Sequence, residues 1–384
     1  MCLFLVTFLF RGGASCVCFW LRSFLGRRFV CLLLVTFLSR AALRAAAGFR
    51  VLCGKVERFI CPERRSCVRA AVRGIQCRMA LYGVTDKIAE ELGVRIREDV
   101  GAAELTTFRG GGRAARVYEP ADADALARFL MRSAEQGAAD FYLLGGGSNT
   151  VMEDGEILLP AVLTRGAAEI IKTAEDERGV FIRAECGAPL GKIISFGREH
   201  GAGGLEFLAG VPATAGGAVH MNAGAFGHEI ADYIVEIERL TPDFAEIERI
   251  KKEEAAFGYR RGAAGAVLRA DFFLPRMSAE ESVRRAAEFL AERRRRQPCA
   301  PSCGSVFRRG VLPAGALIEK AGLKGVRLGG AEISRVHANF IVNVGGASAA
   351  DFQALARLAE ERVFELFGER LEREVEIFSD GLPF

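Results

Sequence analysis

Apolar positions along this chain recur with two periods, and the switches between them lay out its elements. At helical spacing Val84, Ile88 and Leu92 share one face, which predicts a helix over 83–98. Asp122–Gln136 carries a clearer stripe, Leu126, Phe129 and Leu130, with Asp122 and Asp124 in the first turn and Gly137 as the stop. Pro189–Glu199 is a shorter helix closed by Gly201. Ser278–Arg295 is long, with Ser278 as N-cap and Glu281 three residues on, which predicts a capping box. Ser348–Phe367 is also long and stops at Gly368. Strand-like runs stand between and after the helices: Phe141–Leu144, Val180–Ala184, Ile234–Leu240, Val267–Leu274 and Leu371–Phe378. Strands and helices interleaved in this way predict an α+β or α/β class.

Composition changes the picture at residue 79. Half of the 384 residues are hydrophobic and 26% are charged, which excludes a mostly disordered chain. Residues 1–78 hold 14 Lys/Arg against two acids, Glu57 and Glu63, whereas 79–384 hold 38 basic and 46 acidic residues. The overall +4 is the sum of +12 and −8, so it is no argument for nucleic-acid binding by the main body. Eight of eleven cysteines also precede residue 79; the later three, Cys186, Cys299 and Cys303, suit a reducing cytoplasm better than a disulfide framework. In the first segment the largely apolar run Phe29–Leu38 is ten residues long, against the roughly 20 that span a bilayer, and no basic region precedes Cys2–Phe10 as a signal peptide requires. Cys2–Arg11 nearly repeats at Cys31–Arg40, which would suit a doubled membrane-associating hairpin. A stretch so rich in Arg, Cys and Phe and free of Asp reads more readily as translation from an upstream start codon, or as disorder, with Met79 as the natural start.

Two glycine clusters give the first hint of chemistry. Gly145-Gly146-Gly147-Ser148-Asn149 follows a strand directly, and three glycines let the backbone turn sharply and aim bare N–H groups at an anion. Alone, such a run is more often a plain tight turn. The second cluster, Gly203–Gly227, has seven glycines in 25 residues with Leu, Phe and Val between them. It is too apolar for a linker and too rich in glycine for a regular helix. A long irregular segment that still buries apolar residues usually wraps a ligand. Neither cluster is a Rossmann GxGxxG or a P-loop, so a nucleotide cofactor held by another fold is the better inference.

Taken together, the two clusters resemble the UDP-N-acetylenolpyruvoylglucosamine reductases, the MurB family of flavoenzymes of peptidoglycan precursor synthesis. The resemblance continues through Phe257–Arg260, Gln297-Pro298, Pro301–Phe307, Ala314–Gly325, Gly329–Ser334, His337–Asn343 and Leu371–Ile377, covering about residues 84–378 in order. It implies an α+β fold: an FAD-binding module of the vanillyl-alcohol-oxidase (PCMH) type in two subdomains over 84–275, then a C-terminal α+β substrate-binding domain over 276–378, in the shorter type II form. It also implies non-covalent FAD, NADPH as reductant, and UDP-GlcNAc-enolpyruvate as substrate. The cofactor positions carried over are Gly145, Gly146, Gly147, Ser148, Asn149, Gly210, Pro212, Thr214, Gly216, Gly217, Ala218, Asn222 and Gly224. The chain is expected to be a cytoplasmic monomer needing no membrane, nucleic acid or metal.

In the family's reaction NADPH reduces the flavin, flavin N5 gives a hydride to C3 of the enol ether, and a proton must reach C2. A Ser beside Gly is by itself a turn residue; the resemblance makes Ser305, the second Ser of Pro301–Phe307, the proton donor. Its alkoxide needs cations nearby. Arg260 is by the same token the carboxylate stabiliser, a guanidinium able to fork onto two oxygens. Glu374 is the third catalytic position, polarising the substrate or helping the proton relay; Glu372 shares its face if Leu371–Phe378 is a strand. Tyr259, Gln297, Lys324, His337 and Asn339 are substrate contacts by resemblance, with Lys324 suited to a diphosphate and His337 equally readable as a structural histidine.

Some features stay outside that pattern. Cys299 and Cys303 lack the further pair a zinc site needs, and Cys303 reads as a small packing residue. The run Arg293–Arg296 complements a helix dipole. Gly262 stands where the family has Ser, Ala213-Thr214 where Gly-Ser is usual, and Arg308-Arg309 where Asn-Pro is usual. Pro301–Phe307 and Glu372–Val375 argue against a different flavin oxidase or dehydrogenase on the same scaffold, and a membrane-associated flavin-binding or structural protein anchored by 1–78 would not require Arg260, Ser305 and Glu374 together.

Overall fold

The computed structural model describes residues 82–381 and, for the backbone alone, the strands Leu3–Leu9, Ser15–Arg22 and Phe29–Leu32. Those three strands form an antiparallel sheet in chain order, in which the first copy of the near-repeat pairs with Ser15–Arg22. The start-codon and anchor readings of 1–78 otherwise lie outside the described residues.

The body opens with a mixed sheet. Arg95–Gly101 runs antiparallel to Arg113–Glu119, which is followed in parallel by Ala161–Leu163 and Tyr142–Leu144. The helix expected over 83–98 ends at residue 92. Gly93, at φ +68°, breaks it, and Arg95–Gly101 beyond it is drawn into a strand by its pairing with Arg113–Glu119. The helix Ala123–Glu135 covers the sheet as its stripe predicts, capped by Asp122, whose side chain accepts from the Ala125 amide at 2.6 Å. Its Phe129 packs on Tyr118 with ring centroids 4.8 Å apart.

A second, wholly antiparallel sheet follows, in the order Ile170–Glu175, Gly179–Glu185, Ala266–Pro275, Ile234–Leu240, Ile247–Lys251. The helices Leu190–Glu199 and Ala215–His220 share its core. The second of these corrects the reading of Gly203–Gly227 as too glycine-rich for helix. Gly216 is what lets this short helix close on the sheet, because a Cβ there would lie 2.7 Å from Cys186 Cβ.

The third part has its own core, built from Ala314–Lys320, a small sheet containing Ala331–Ile333 and Ile341–Asn343, and the long helix Ala349–Phe367. Ser348 and Asp351 cap that helix reciprocally, and Asp154 from the first sheet's lobe accepts from the Ala349 and Ala350 amides, both at 2.8 Å. At Ser278 only half of the expected box forms: its hydroxyl accepts from Glu281 N at 3.2 Å, while the Glu281 carboxylate turns to Arg284 and Arg285.

Both ends of the expected 276–378 domain make contacts with the other lobes. The helix Ala279–Arg296 belongs with the second lobe, where Ser282 donates to Glu206 at 2.8 Å and Phe289 meets Phe226 at 5.1 Å. At the other end Glu376–Phe378 is a strand parallel to Thr150–Met152, and Phe378 is buried in the first lobe, stacked 4.4 Å from Tyr142.

Candidate active site

The strand Tyr142–Leu144 delivers Gly145–Asn149 against the second glycine segment, and only glycine fits there. A Cβ on Gly145 would lie 2.6 Å from Thr214 Oγ1, on Gly146 2.5 Å from the Pro212 carbonyl, and on Gly147, itself at φ +65°, 2.1 Å from the Leu105 carbonyl. The two clusters read separately in the sequence thus form one surface. The amides of Gly146, Gly147 and Ser148 have no acceptor among the described residues. Thr214 Oγ1 is buried and without a partner. Free amides converging beside an orphaned hydroxyl are what the diphosphate of a dinucleotide requires, so these residues fit FAD. Thr214, in the Ala213-Thr214 pair that departs from the family's Gly-Ser, supplies that hydroxyl.

Not every predicted cofactor residue faces that surface with its side chain. Asn222, at φ +43°, is buried, and its amide donates to Glu229 at 2.7 Å and to the Gly258 carbonyl at 3.0 Å. It holds the tight turn Gly258–Arg261, closed by reciprocal main-chain bonds of 2.8 and 3.0 Å. Gly210, at φ +79°, lies against Leu290. Gly224 lies beside Arg260, whose Nη1 is 3.7 Å from where its Cβ would be.

Arg260 is the strained corner of that turn, at φ +54°. A left-handed non-glycine residue costs about 1 kcal/mol or more, and its side chain shows what the strain achieves. Nε reaches Glu374 Oε1 at 2.5 Å. Tyr259 lies beneath, its ring 5.1 Å from the guanidinium and its hydroxyl accepting from Arg309 N at 3.0 Å. This gives the Arg308-Arg309 departure a place: Arg308 N is bonded to the Glu372 carbonyl at 2.8 Å, and the Arg308 charge acts on Glu374.

Glu374 lies just before the last strand, not within it. Only Glu376–Phe378 is a strand, so the parity argument fails, and the structure itself separates Glu372, which is exposed, from Glu374, whose side chain is 10% exposed. Burial raises the Glu374 carboxyl above its ordinary value, against the pull of Arg260 and Arg308. Main-chain bonds draw Ser305 to it: Glu374 N donates to the Val306 carbonyl and Val306 N to the Asn339 carbonyl, each at 2.8 Å. The Ser305 hydroxyl is half-buried and makes no bond among the described residues. Gly304, at φ +79°, sets the preceding turn beside the Ser148 carbonyl. Burial pushes the neighbouring Cys303 thiol up to about 12, as suits a packing residue.

Comparison with known proteins agrees with this geometry. Residues 296–378 match the C-terminal domain of UDP-N-acetylenolpyruvoylglucosamine reductase, and 114–247 match an FAD binding domain. The enzyme of that name from Synechococcus is 39% identical, over 75% of this chain and 94% of its own. The chain belongs to the UDP-N-acetylenolpyruvoylglucosamine reductase family. A Streptococcus pneumoniae relative of the same name is 37% identical, over 77% of this chain and 93% of its own. The crystal structure of the Thermus caldophilus reductase, 33% identical, covers 74% of this chain and 99% of its own with a TM-score of 0.60.

The remaining positions predicted for this family member are engaged within the protein. Asn339 brackets Phe307, accepting from its N at 3.0 Å and donating to its carbonyl at 2.8 Å, so it shapes the Ser305 loop. His337 accepts from Asn339 N at 3.2 Å, and burial and Lys324 hold its imidazole below the usual histidine range. Lys324 is paired with Glu319 at 2.8 Å, and Gln297 accepts from Arg293 at 3.2 Å.

Two arginines on the glycine loops escaped the sequence reading. Arg293, taken as part of a dipole-complementing run, instead turns inward and donates to the Ala209 and Phe207 carbonyls, both at 3.1 Å; Arg295 and Arg296 alone pair with Glu292. Its four-residue spacing from Phe289 places both on the face toward Phe226, the one signal that could have singled it out. Arg165 grips the first loop, and nothing in its local sequence marks it.

Proposed function

We propose that this chain reduces UDP-GlcNAc-enolpyruvate to UDP-N-acetylmuramate at the expense of NADPH, as a cytoplasmic monomer. The observation that carries the reading is the meeting of Arg260, Glu374 and the Ser305 loop beside the glycine surface suited to FAD. Bound FAD would relay a hydride from NADPH to C3 of the enol ether. Arg260 stabilises the negative charge that spreads into the substrate carboxylate as C3 is reduced. Ser305 Oγ gives its proton to C2, which completes the saturated ether and leaves NADP⁺ as the oxidised product. Glu374, whose burial favours its protonated form, resupplies that proton or polarises the substrate. Among the described residues no helix is long and apolar enough to cross a membrane.

The test is an absorbance experiment on the purified protein. NADPH should bleach the flavin band, and UDP-GlcNAc-enolpyruvate should then restore it, mole for mole. Bleaching that the substrate fails to reverse would point to another acceptor. Acid precipitation should release the flavin, because His220 and His228, in or beside the loop, match no flavin linkage in the resembled family.

A further inference from the structure

The strand Ala161–Leu163 leads at once into Thr164-Arg165-Gly166, and Arg165 turns back beneath the Gly145–Asn149 loop. Its Nε donates to the Gly145 carbonyl at 3.0 Å, and Nη2 donates to those of Gly146 at 3.2 Å and Leu105 at 2.8 Å. Nη1 reaches the Glu104 carbonyl at 3.2 Å. Every acceptor is a neutral main-chain oxygen, and Glu104 and Glu119 act on the guanidinium only through their charge. Gly166 permits the approach, since a Cβ there would lie 2.0 Å from the Pro120 carbonyl.

A trans peptide points its C=O and its N–H in opposite directions. Holding the oxygens of Gly145 and Gly146 from one side therefore sends the N–H groups of Gly146 and Gly147 to the other. Those are the amides with no acceptor among the described residues. The cation also polarises both peptides, which strengthens their N–H ends as donors. Leu105, the third anchor, is the residue whose carbonyl abuts Gly147, so one fork fixes the loop and the wall it leans on.

We propose that Arg165 is a positioning residue for FAD, holding the Gly146 and Gly147 amides as a nest for the dinucleotide's diphosphate. This deepens the cofactor half of the function above and rests on it, but not on the identity of the sugar substrate.

The experiment is titration of the full chain, stripped of flavin, with FAD and separately with riboflavin, followed by flavin fluorescence, for Arg165→Lys and Arg165→Met. FAD affinity should fall about 10- to 100-fold in Arg165→Met, and less in Arg165→Lys, which keeps a charge but loses the fork. Riboflavin carries no phosphate and should bind parent and variants alike, so the ratio of the two affinities falls. A loss shared equally by both ligands, or no loss in a folded variant, overturns the proposal. If Arg165→Met does not fold, the same ratio in Arg165→Lys decides. A chain that shows the expected ratio but does not turn over the enolpyruvyl substrate would sink the reductase reading and leave this one standing.

Discussion

Asn149 is bonded to Glu374: its side-chain amide donates to the Glu374 carbonyl at 3.0 Å, and its own carbonyl accepts from Glu376 N, two residues on, at 2.9 Å. A residue of the first glycine loop thus fixes the backbone of the carboxylate that faces Arg260. Asn149→Ala should lose about 1 kcal/mol of stability for the missing bond. It should also slow reoxidation of reduced flavin by substrate more than reduction by NADPH. Urea unfolding and stopped-flow absorbance measure the two effects; equal slowing of both halves would place Asn149 at the cofactor alone.

Ser305→Ala should leave flavin reduction nearly intact, because hydride transfer to FAD needs no proton from Ser305. Reoxidation by the enolpyruvyl substrate should slow about 10²- to 10⁴-fold, the usual effect of removing a general acid. Substrate affinity should change far less. Arg260→Lys should share part of the defect, keeping charge without the fork.

Burial raises the Glu374 carboxyl, so folding favours its protonated form. That contribution is complete below the unfolded value of about 4.3 and is lost as pH rises through the higher folded value. Glu374→Gln is neutral throughout, so its stability relative to the parent should improve with rising pH across that window. Arg260→Met removes the largest opposing influence and should move the upper end of the window higher. Thermal melts across the acid range check both; a relative stability that falls with rising pH would contradict the burial argument.

Restoring the family's Ser at 262 should harm this protein. A Cβ on Gly262 would lie 1.8 Å from the Val219 carbonyl, and Gly262 N is bonded to the His220 carbonyl at 2.9 Å. Gly262→Ser should cost about 1–3 kcal/mol, the usual range for overpacking, measured by urea unfolding. An unchanged midpoint would show that the helix Ala215–His220 can shift to make room.

The elements that were legible in the sequence are those whose local pattern agrees with their packing. The stripe of Ala123–Glu135 and its Asp122 cap form as read, and so does the strand Ile234–Leu240. The tail of the helix expected over 83–98 is strand instead, because its few apolar residues fit either period and its pairing with Arg113–Glu119 decides the matter. Motif resemblance named Arg260, Ser305 and Glu374, but not what joins them. Arg165 and Arg293 act through main-chain carbonyls far away in sequence, and a carbonyl leaves no trace in residue type.

The strand Glu376–Phe378 has a consequence for biosynthesis. Its partner residues lie about 225 positions earlier, and Phe378 completes the hydrophobic interior around Tyr142. A ribosome emits the chain from the amino end, so the first lobe waits, with an unpaired strand edge and an open interior, through the synthesis of everything after Met152. During that interval the nascent chain exposes a surface that chaperones recognise and that neighbouring nascent chains can pair with. The segment Glu374–Phe378 acts as the closing stitch, setting Glu374 opposite Arg260 at the same moment as it seals the lobe.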